Sequence, residues 1–289
     1  MIKENQKIFV RTANFRHGKG TVFYASLPCD SMVDQRLAGL GTNGSSQRHH
    51  LVSGLLDHLA ALKNPLRMPK PYGNQDAFPV PAEPFIRVDR IIRIIRGPLG
   101  KPELFLGEDR RPAISFCQSG QTVWAAMCGD EHDIGIDVAE PHDFEGKYPF
   151  SRVFNPPELQ HALKLLGQDL KKAAALLWSI KEAVAKAMGC AFHLVDPRQM
   201  MVYPSIGRTT GGTTDGATGG AIDGSTGGAA KENGEYDFPV GLLEKAVMRF
   251  PMAAGRVLWV RSVFHGEMWL SIALLNWQSQ RGESYDPKQ

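Results

Sequence analysis

Glu182 and Lys186 lie four residues apart in Trp178-Ser179-Ile180-Lys181-Glu182-Ala183-Val184-Ala185-Lys186-Ala187-Met188-Gly189. Ala, Lys, Glu and Met are good helix formers, and Gly189 suits the left-handed residue that ends a helix. An i,i+4 spacing then puts the carboxylate and the ammonium on one helix face. Such a pair can hold a divalent cation and a phosphate, or it can pair in water, where it contributes about 0.2–0.5 kcal/mol. Leu177, Ile180, Val184 and Ala187 recur at helical spacing and read as a core stripe on the opposite side. Trp178 falls outside that stripe and reads as a cleft wall or a surface between two halves.

A second carboxylate lies in Asp133-Ile134-Gly135-Ile136-Asp137-Val138-Ala139-Glu140. Strand alternation puts Ile134, Ile136 and Val138 on one face and Gly135, Asp137 and Ala139 on the other. A carboxylate between small residues leaves room for Mg²⁺. That ion usually takes one or two protein carboxylates and fills its shell with water and phosphate oxygens. The plain alternative is an aspartate capping a turn. Gly100-Lys101-Pro102 presents a lysine beside free backbone N–H groups, which suits a phosphate; alone it is only a turn. The stretch Ser115-Phe116-Cys117-Gln118-Ser119-Gly120 follows it.

Short strands are expected at Ile8–Arg11 and Thr21–Ala25, around the polar turn from Arg16 to Gly20. Gln47–Leu62 reads as a helix with the stripe Leu51, Leu55, Leu56, Leu59 and Leu62. A Pro/Gly-rich loop follows from Pro65 to Pro84. Phe85–Arg96 reads as a strand, on its isoleucines and valine, and carries Arg87, Arg90, Arg93 and Arg96. These arginines read as a solvated face, with steering of an acidic partner as the alternative. Gly97–Arg111 reads as a turn-rich connection. Strands are expected at Ala113–Phe116, Thr122–Cys128 and Ile134–Val138, with a turn at Gln118-Ser119-Gly120. Helices are expected at Phe150–Leu166 and Leu170–Met188. A hairpin is expected from Val257–Phe264 and Met268–Leu275 through His265-Gly266-Glu267. Thr209–Gly228 reads as five tetrapeptides that each end in glycine, a disordered surface loop inserted in a folded domain.

The chain has 289 residues, 43% of them apolar, enough for one large domain or two smaller ones. A net charge of +3 is too mild to argue for nucleic acid. The four cysteines lack metal-finger spacing, and Cys117, Cys128 and Cys190 sit among apolar residues, as buried thiols in a reducing compartment do. The N-terminus shows no signal-peptide pattern, and no apolar run approaches the ~18 residues of a membrane span. The expectation is a cytoplasmic protein with no membrane contact.

In order and spacing, Gly100-Lys101-Pro102, Ser115–Gly120, Gly135-Ile136-Asp137-Val138, Phe154-Asn155-Pro156-Pro157-Glu158 and Trp178-Ser179-Ile180-Lys181-Glu182-Ala183 with Lys186 resemble one family. They look like the 4'-phosphopantetheinyl transferases, specifically the larger surfactin-synthetase type. Glu267–Ala273 looks like that family's last strand. The resemblance covers roughly Gly97 to Leu275.

It implies an α/β (α+β) fold, a pseudo-dimer of two similar halves, each an antiparallel sheet packed with a long helix. The halves would be residues 1–133 and 134–289, with the Gly/Thr-rich insertion at about 207–234 in the second and the chain a monomer. The implied reaction moves 4'-phosphopantetheine from coenzyme A to a serine of an acyl or peptidyl carrier protein, with Mg²⁺, and releases 3',5'-ADP. Asp137 and Glu182 match the metal carboxylates, and Lys186 the lysine on the pyrophosphate. Lys101, Gln118 and Lys181 match positions lining the coenzyme A site, and Arg48 the arginine on the 3'-phosphate. Two departures stand out. Many members carry a second acid where this chain has Ala139, and a histidine where it has Gln118. They motivate the alternative of a degenerate member that binds coenzyme A or a carrier without transfer. A nucleic-acid-binding reading of the arginines would leave Asp137 and Glu182 without a purpose.

Overall fold

The computed structural model describes residues 8–15, 20–28, 43–63, 92–97, 99–107, 109–129, 132–146, 148–190, 192, 194–207 and 234–276. The turn residues 16–19, Cys29, the Pro65–Pro84 loop, residues 85–91 with Arg87 and Arg90, and the Thr209–Gly228 tetrapeptides lie outside them.

Strands of alternating character build the N-terminal sheet. β1 (Arg11–Phe15) and β2 (Gly20–Pro28) come first, followed by α1 (Asn43–Lys63). β3 (Ile92–Arg96), β4 (Pro102–Leu106) and β5 (Asp109–Arg111) form a small antiparallel sheet of their own. β6 (Ile114–Ser119) and β7 (Thr122–Met127) then complete the first sheet, in the order β1-β2-β7-β6. The period of two is explicit. Phe23, Ala25, Leu27, Val123, Ala125 and Met127 face α1, where Leu51, Val52 and Leu55 are buried. Val22, Tyr24, Trp124 and Ala126 face the other way.

The second sheet begins with β8 (Asp133–Ala139). It is followed by α2 (Phe150–Val153), α3 (Pro156–Leu165) and α4 (Leu170–Ala187). β9 (Met200–Val202), β10 (Ile206–Gly207), β11 (Glu235–Leu242), α5 (Glu244–Arg249), β12 (Leu258–His265) and β13 (Met268–Leu275) follow. The sheet order is β10-β11-β12-β13-β8, with β9 also on β11. Trp269, Ala273 and Leu275 pack towards α4, while Leu270, Ile272 and Leu274 meet Val22, Tyr24 and Trp124 of the first sheet. The order of layers is therefore α1, first sheet, second sheet, α4. This is an α+β fold of antiparallel sheets with few helices.

The expected core stripe of α4 is wholly buried: Leu177, Ile180, Val184 and Ala187 are at most 1% exposed. Gly189 has φ +70° and ends the helix, its N–H donating to the Lys186 carbonyl. Other expectations are corrected. The strand expected at Ile8–Arg11 begins at Arg11 and runs to Phe15. Gln118 and Ser119 belong to β6, and the turn is Gly120-Gln121, with Gly120 at φ +51°. The "connection" 97–111 contains β4 and β5. The helix expected at Phe150–Leu166 is broken at Asn155, which is extended and caps α3 in a reciprocal box with Glu158. Pro156 explains the break, since a residue before proline avoids the helical region.

Candidate active site

Gly135 sets the distance between β8 and α4. A Cβ there would lie 1.8 Å from the Ala183 carbonyl oxygen and 2.7 Å from the Ala187 nitrogen. Only glycine lets the strand rest on the helix backbone, and two residues on Asp137 faces the same helix. Lys186 Nζ donates to Asp137 Oδ1 at 2.7 Å and to the Ile136 carbonyl at 3.2 Å.

Glu182 stands one turn before Lys186. Burial pushes the Asp137 carboxyl up to about 7 against the pull of Lys186, and the charge of Glu182 adds to the rise. Burial also raises Glu182, again opposed by Lys186. Burial pulls the Lys186 ammonium down, but Asp137, Cys117 and Glu182 together outweigh it and hold it above the usual lysine value. Two carboxylates thus share one ammonium in a half-dry site. A divalent cation relieves that excess of negative charge, and a hard, oxygen-seeking ion such as Mg²⁺ suits this donor set. Among the described residues no group of three or more His, Cys, Asp and Glu side chains is placed to hold a metal. Ala139 is 2% exposed and packs in the α4 core, so nothing at that position adds a ligand.

The first sheet reaches this site through β6. Ser115 Oγ accepts the Ile136 N–H at 3.1 Å. The Cys117 thiol is buried close to Asp137, and both burial and that carboxylate push its pKa up. Gln118 is exposed and donates to the Gly120 carbonyl at 3.3 Å. Arg48, on α1, lies over the Phe116 ring at 5.5 Å. Burial lowers its pKa, and the facing charge of Arg96 lowers it further. An anion beside these two guanidinium groups would relieve that repulsion. Arg96 was read from sequence as part of a solvated face, with steering of an acidic partner as the alternative, and its interaction with Arg48 has no local signal.

Lys101 and Lys181 both have partners within the protein, and Lys181 departs from expectation. Lys101 Nζ donates to Asp133 Oδ1 at 2.5 Å and to the Ala187 carbonyl at 3.0 Å. Lys181 is wholly enclosed. Its Nζ donates to Glu158 Oε1 at 2.5 Å, to the Pro197 carbonyl at 2.8 Å and to the Val153 carbonyl at 3.2 Å. All three N–H groups have acceptors inside the protein, so in this conformation Lys181 lines no ligand site. Glu158 also accepts the Asn155 N–H and, through Oε2, the Val202 N–H. The pair binds α4 to α3 and β9. The Asn155-x-x-Glu158 spacing is a capping-box signal that the expectation of one helix over Phe150–Leu166 passed over; the lysine 23 residues further on has no such signal.

Trp178 packs edge-on against Phe192 and Phe144, with ring centroids at 5.1 and 6.4 Å. Among the described residues it pads the α4 side of the second sheet. Behind the site, Ser179 Oγ, Ser271 Oγ and Ser262 Oγ form a buried chain at 2.7 and 2.8 Å, tying α4 to β13 and β12.

Residues 133–217 match the family model described as the 4'-phosphopantetheinyl transferase superfamily. The matched segment is less than a third of the chain. It holds β8 and α4, and so Asp137, Lys181, Glu182 and Lys186; Arg48, Lys101 and Gln118 lie outside it. The chain is also similar to a Synechocystis sp. protein named "Putative 4'-phosphopantetheinyl transferase". The identity is 35% over 97 residues, 32% of this chain. The similarity spans 38% of that relative's length. No helix among the described residues is long and apolar enough to cross a membrane.

Proposed function

We propose that the protein transfers 4'-phosphopantetheine from coenzyme A to a serine hydroxyl of an acyl or peptidyl carrier protein, releasing 3',5'-ADP. The observation that carries this reading is Asp137, Glu182 and Lys186 drawn together by the Gly135 contact, inside the superfamily segment. Asp137 and Glu182 would hold Mg²⁺, which when bound neutralises charge on the pyrophosphate.

Each protein group then has a task. Lys186 turns its ammonium from Asp137 to a pyrophosphate oxygen. Glu182, its carboxyl raised by burial, takes the proton of the attacking serine. The serine oxygen bonds to the β-phosphorus, and the bond from that phosphorus to the bridging oxygen breaks. The departing oxygen stays with 3',5'-ADP. Arg48 and Arg96 grip the 3'-phosphate, and Gln118 on exposed β6 offers neutral donors beside it. Rigid placement of Glu182 and Lys186 on one helix supplies orientation before reaction.

The test is mass spectrometry of an apo carrier protein incubated with the full chain, coenzyme A and Mg²⁺. A phosphopantetheine mass gain on the serine is expected. No gain on any carrier under saturating conditions defeats the reading. One observation favours a second reading, binding without transfer: Ala139 leaves the strand short of an acid. Calorimetry showing coenzyme A bound with no turnover would decide for it. We further infer a cytoplasmic monomer, divided at residues 133/134 into two halves.

A further inference from the structure

Lys101 is the only side chain in the Gly97–Pro102 turn for which a bond to the second sheet's elements is seen among the described residues. The turn is tight: the Gly97 N–H donates to the Lys101 carbonyl at 2.8 Å, and the Gly100 N–H to Gly97 at 2.9 Å. Gly100 has φ +80°, a backbone state that favours glycine. On one side of the turn is Arg96, in register with Pro102 on the other. From its apex Lys101 crosses to Asp133, the first residue of β8, and to Ala187, the last of α4. Gly189 leaves space for this crossing, since a Cβ there would lie 3.0 Å from Lys101 Cδ. A cation at a helix C-terminus is favourable, and here a carboxylate reinforces it.

We propose that Lys101 and Asp133 are positioning residues, a clasp that fixes the β3–β4 turn on the end of α4. The clasp sets the span between the Arg48–Arg96 pair and the Asp137–Glu182 carboxylates. It rests on the reading above that a coenzyme A bridges these two groups. Lys101 is thereby not a ligand contact: to touch a phosphate it would have to leave both a carboxylate and a carbonyl. A ligand that reaches both groups needs the span to be correct. A fragment that reaches the arginines alone does not.

The experiment compares coenzyme A with adenosine 3'-monophosphate, which carries the 3'-phosphate and no pyrophosphate, by calorimetry on the full chain with Mg²⁺. The variants are Lys101→Met, Asp133→Asn and the double. The clasp predicts that either single change weakens coenzyme A about tenfold, or about 1.4 kcal/mol. The double is no worse than either single, because the two residues act as one unit. Affinity for adenosine 3'-monophosphate stays within about twofold. Asp133 discriminates the roles. If Lys101 touched the ligand, freeing it from Asp133 would leave coenzyme A binding intact or improved, and that result overturns the proposal. Hydrogen exchange without ligand separates this failure from failure of the assigned reaction. In Asp133→Asn the Gly97 and Gly189 amides are expected to exchange faster. Faster exchange in a protein whose wild type ignores coenzyme A would sink the assigned reaction and leave the clasp standing. Unchanged exchange overturns the clasp whatever coenzyme A does.

Discussion

At the scale of single residues, Gly135 has the sharpest steric requirement. The atoms a Cβ would meet are helix backbone, which cannot rotate aside. Gly135→Ala is expected to destabilise by about 1–3 kcal/mol or more, read by denaturant unfolding. It should also weaken Mg²⁺ binding, since β8 must lift from α4. Glu182→Gln and Asp137→Asn are each expected to remove most transfer activity while the circular dichroism spectrum survives. Near-normal turnover in either refutes the carboxylate assignment.

Asp137 also gives the metal-free protein a pH signature. Its folded pKa, about 7, exceeds the unfolded carboxyl value, so the folded state holds the proton more tightly. Its contribution is therefore most favourable below the unfolded value and is lost as pH rises through about 7. With chelator present, Tm should fall more steeply from pH 5 to 7 in wild type than in Asp137→Asn. Equal slopes would show that the carboxyl is not perturbed.

At the scale of elements, α4 is held by a knot that sequence alone conceals. Lys181→Met should cost about 3–5 kcal/mol, because it strands the Glu158 carboxylate in a dry interior. Adding Glu158→Gln should recover part of that loss, since a neutral amide needs no counter-charge and can still accept from a backbone N–H. Chemical denaturation of the single and double variants measures this; a double variant less stable than the single would refute it. Where periodicity was strong, the elements were legible. The α4 stripe and the β12–β13 hairpin follow from residue spacing because each buries one regular face. β11 was not legible: Pro239 and Gly241 interrupt its pattern, and its pairing with β9 and β12 supplies the stability that local preference lacks. β4 and β5 were hidden by the turn residues between them. At the site, spacing put Glu182 and Lys186 on one helix face, while their joining to Asp137 came from the family resemblance. The partners of Lys101 and Lys181 could not be read, because they come from 32 and 23 residues away through folding alone.

At the scale of the whole molecule, the apolar layer between the sheets belongs to neither alone. Val22, Tyr24 and Trp124 close on Ile134, Ile136, Leu270 and Ile272. Arg261, bidentate to Asp237 at 2.8 and 3.0 Å, also lies 5.1 Å over the Phe15 ring of the first sheet. Residues 1–132 expressed alone should therefore expose a large apolar face and associate. Analytical ultracentrifugation is the check, and a stable monomeric fragment would overturn the expectation.

Ile136 has a consequence of a different kind. Among the described residues β8 pairs on one side only, with β13, and an open strand edge is a template on which another chain can grow. Here the Ile136 amide is taken by Ser115 and its carbonyl by Lys186. The same lysine that would hold a phosphate also closes the rung. Losing both side chains would leave this rung's amide and carbonyl without partners, so Ser115 and Lys186 together protect the edge on which the chemistry also depends.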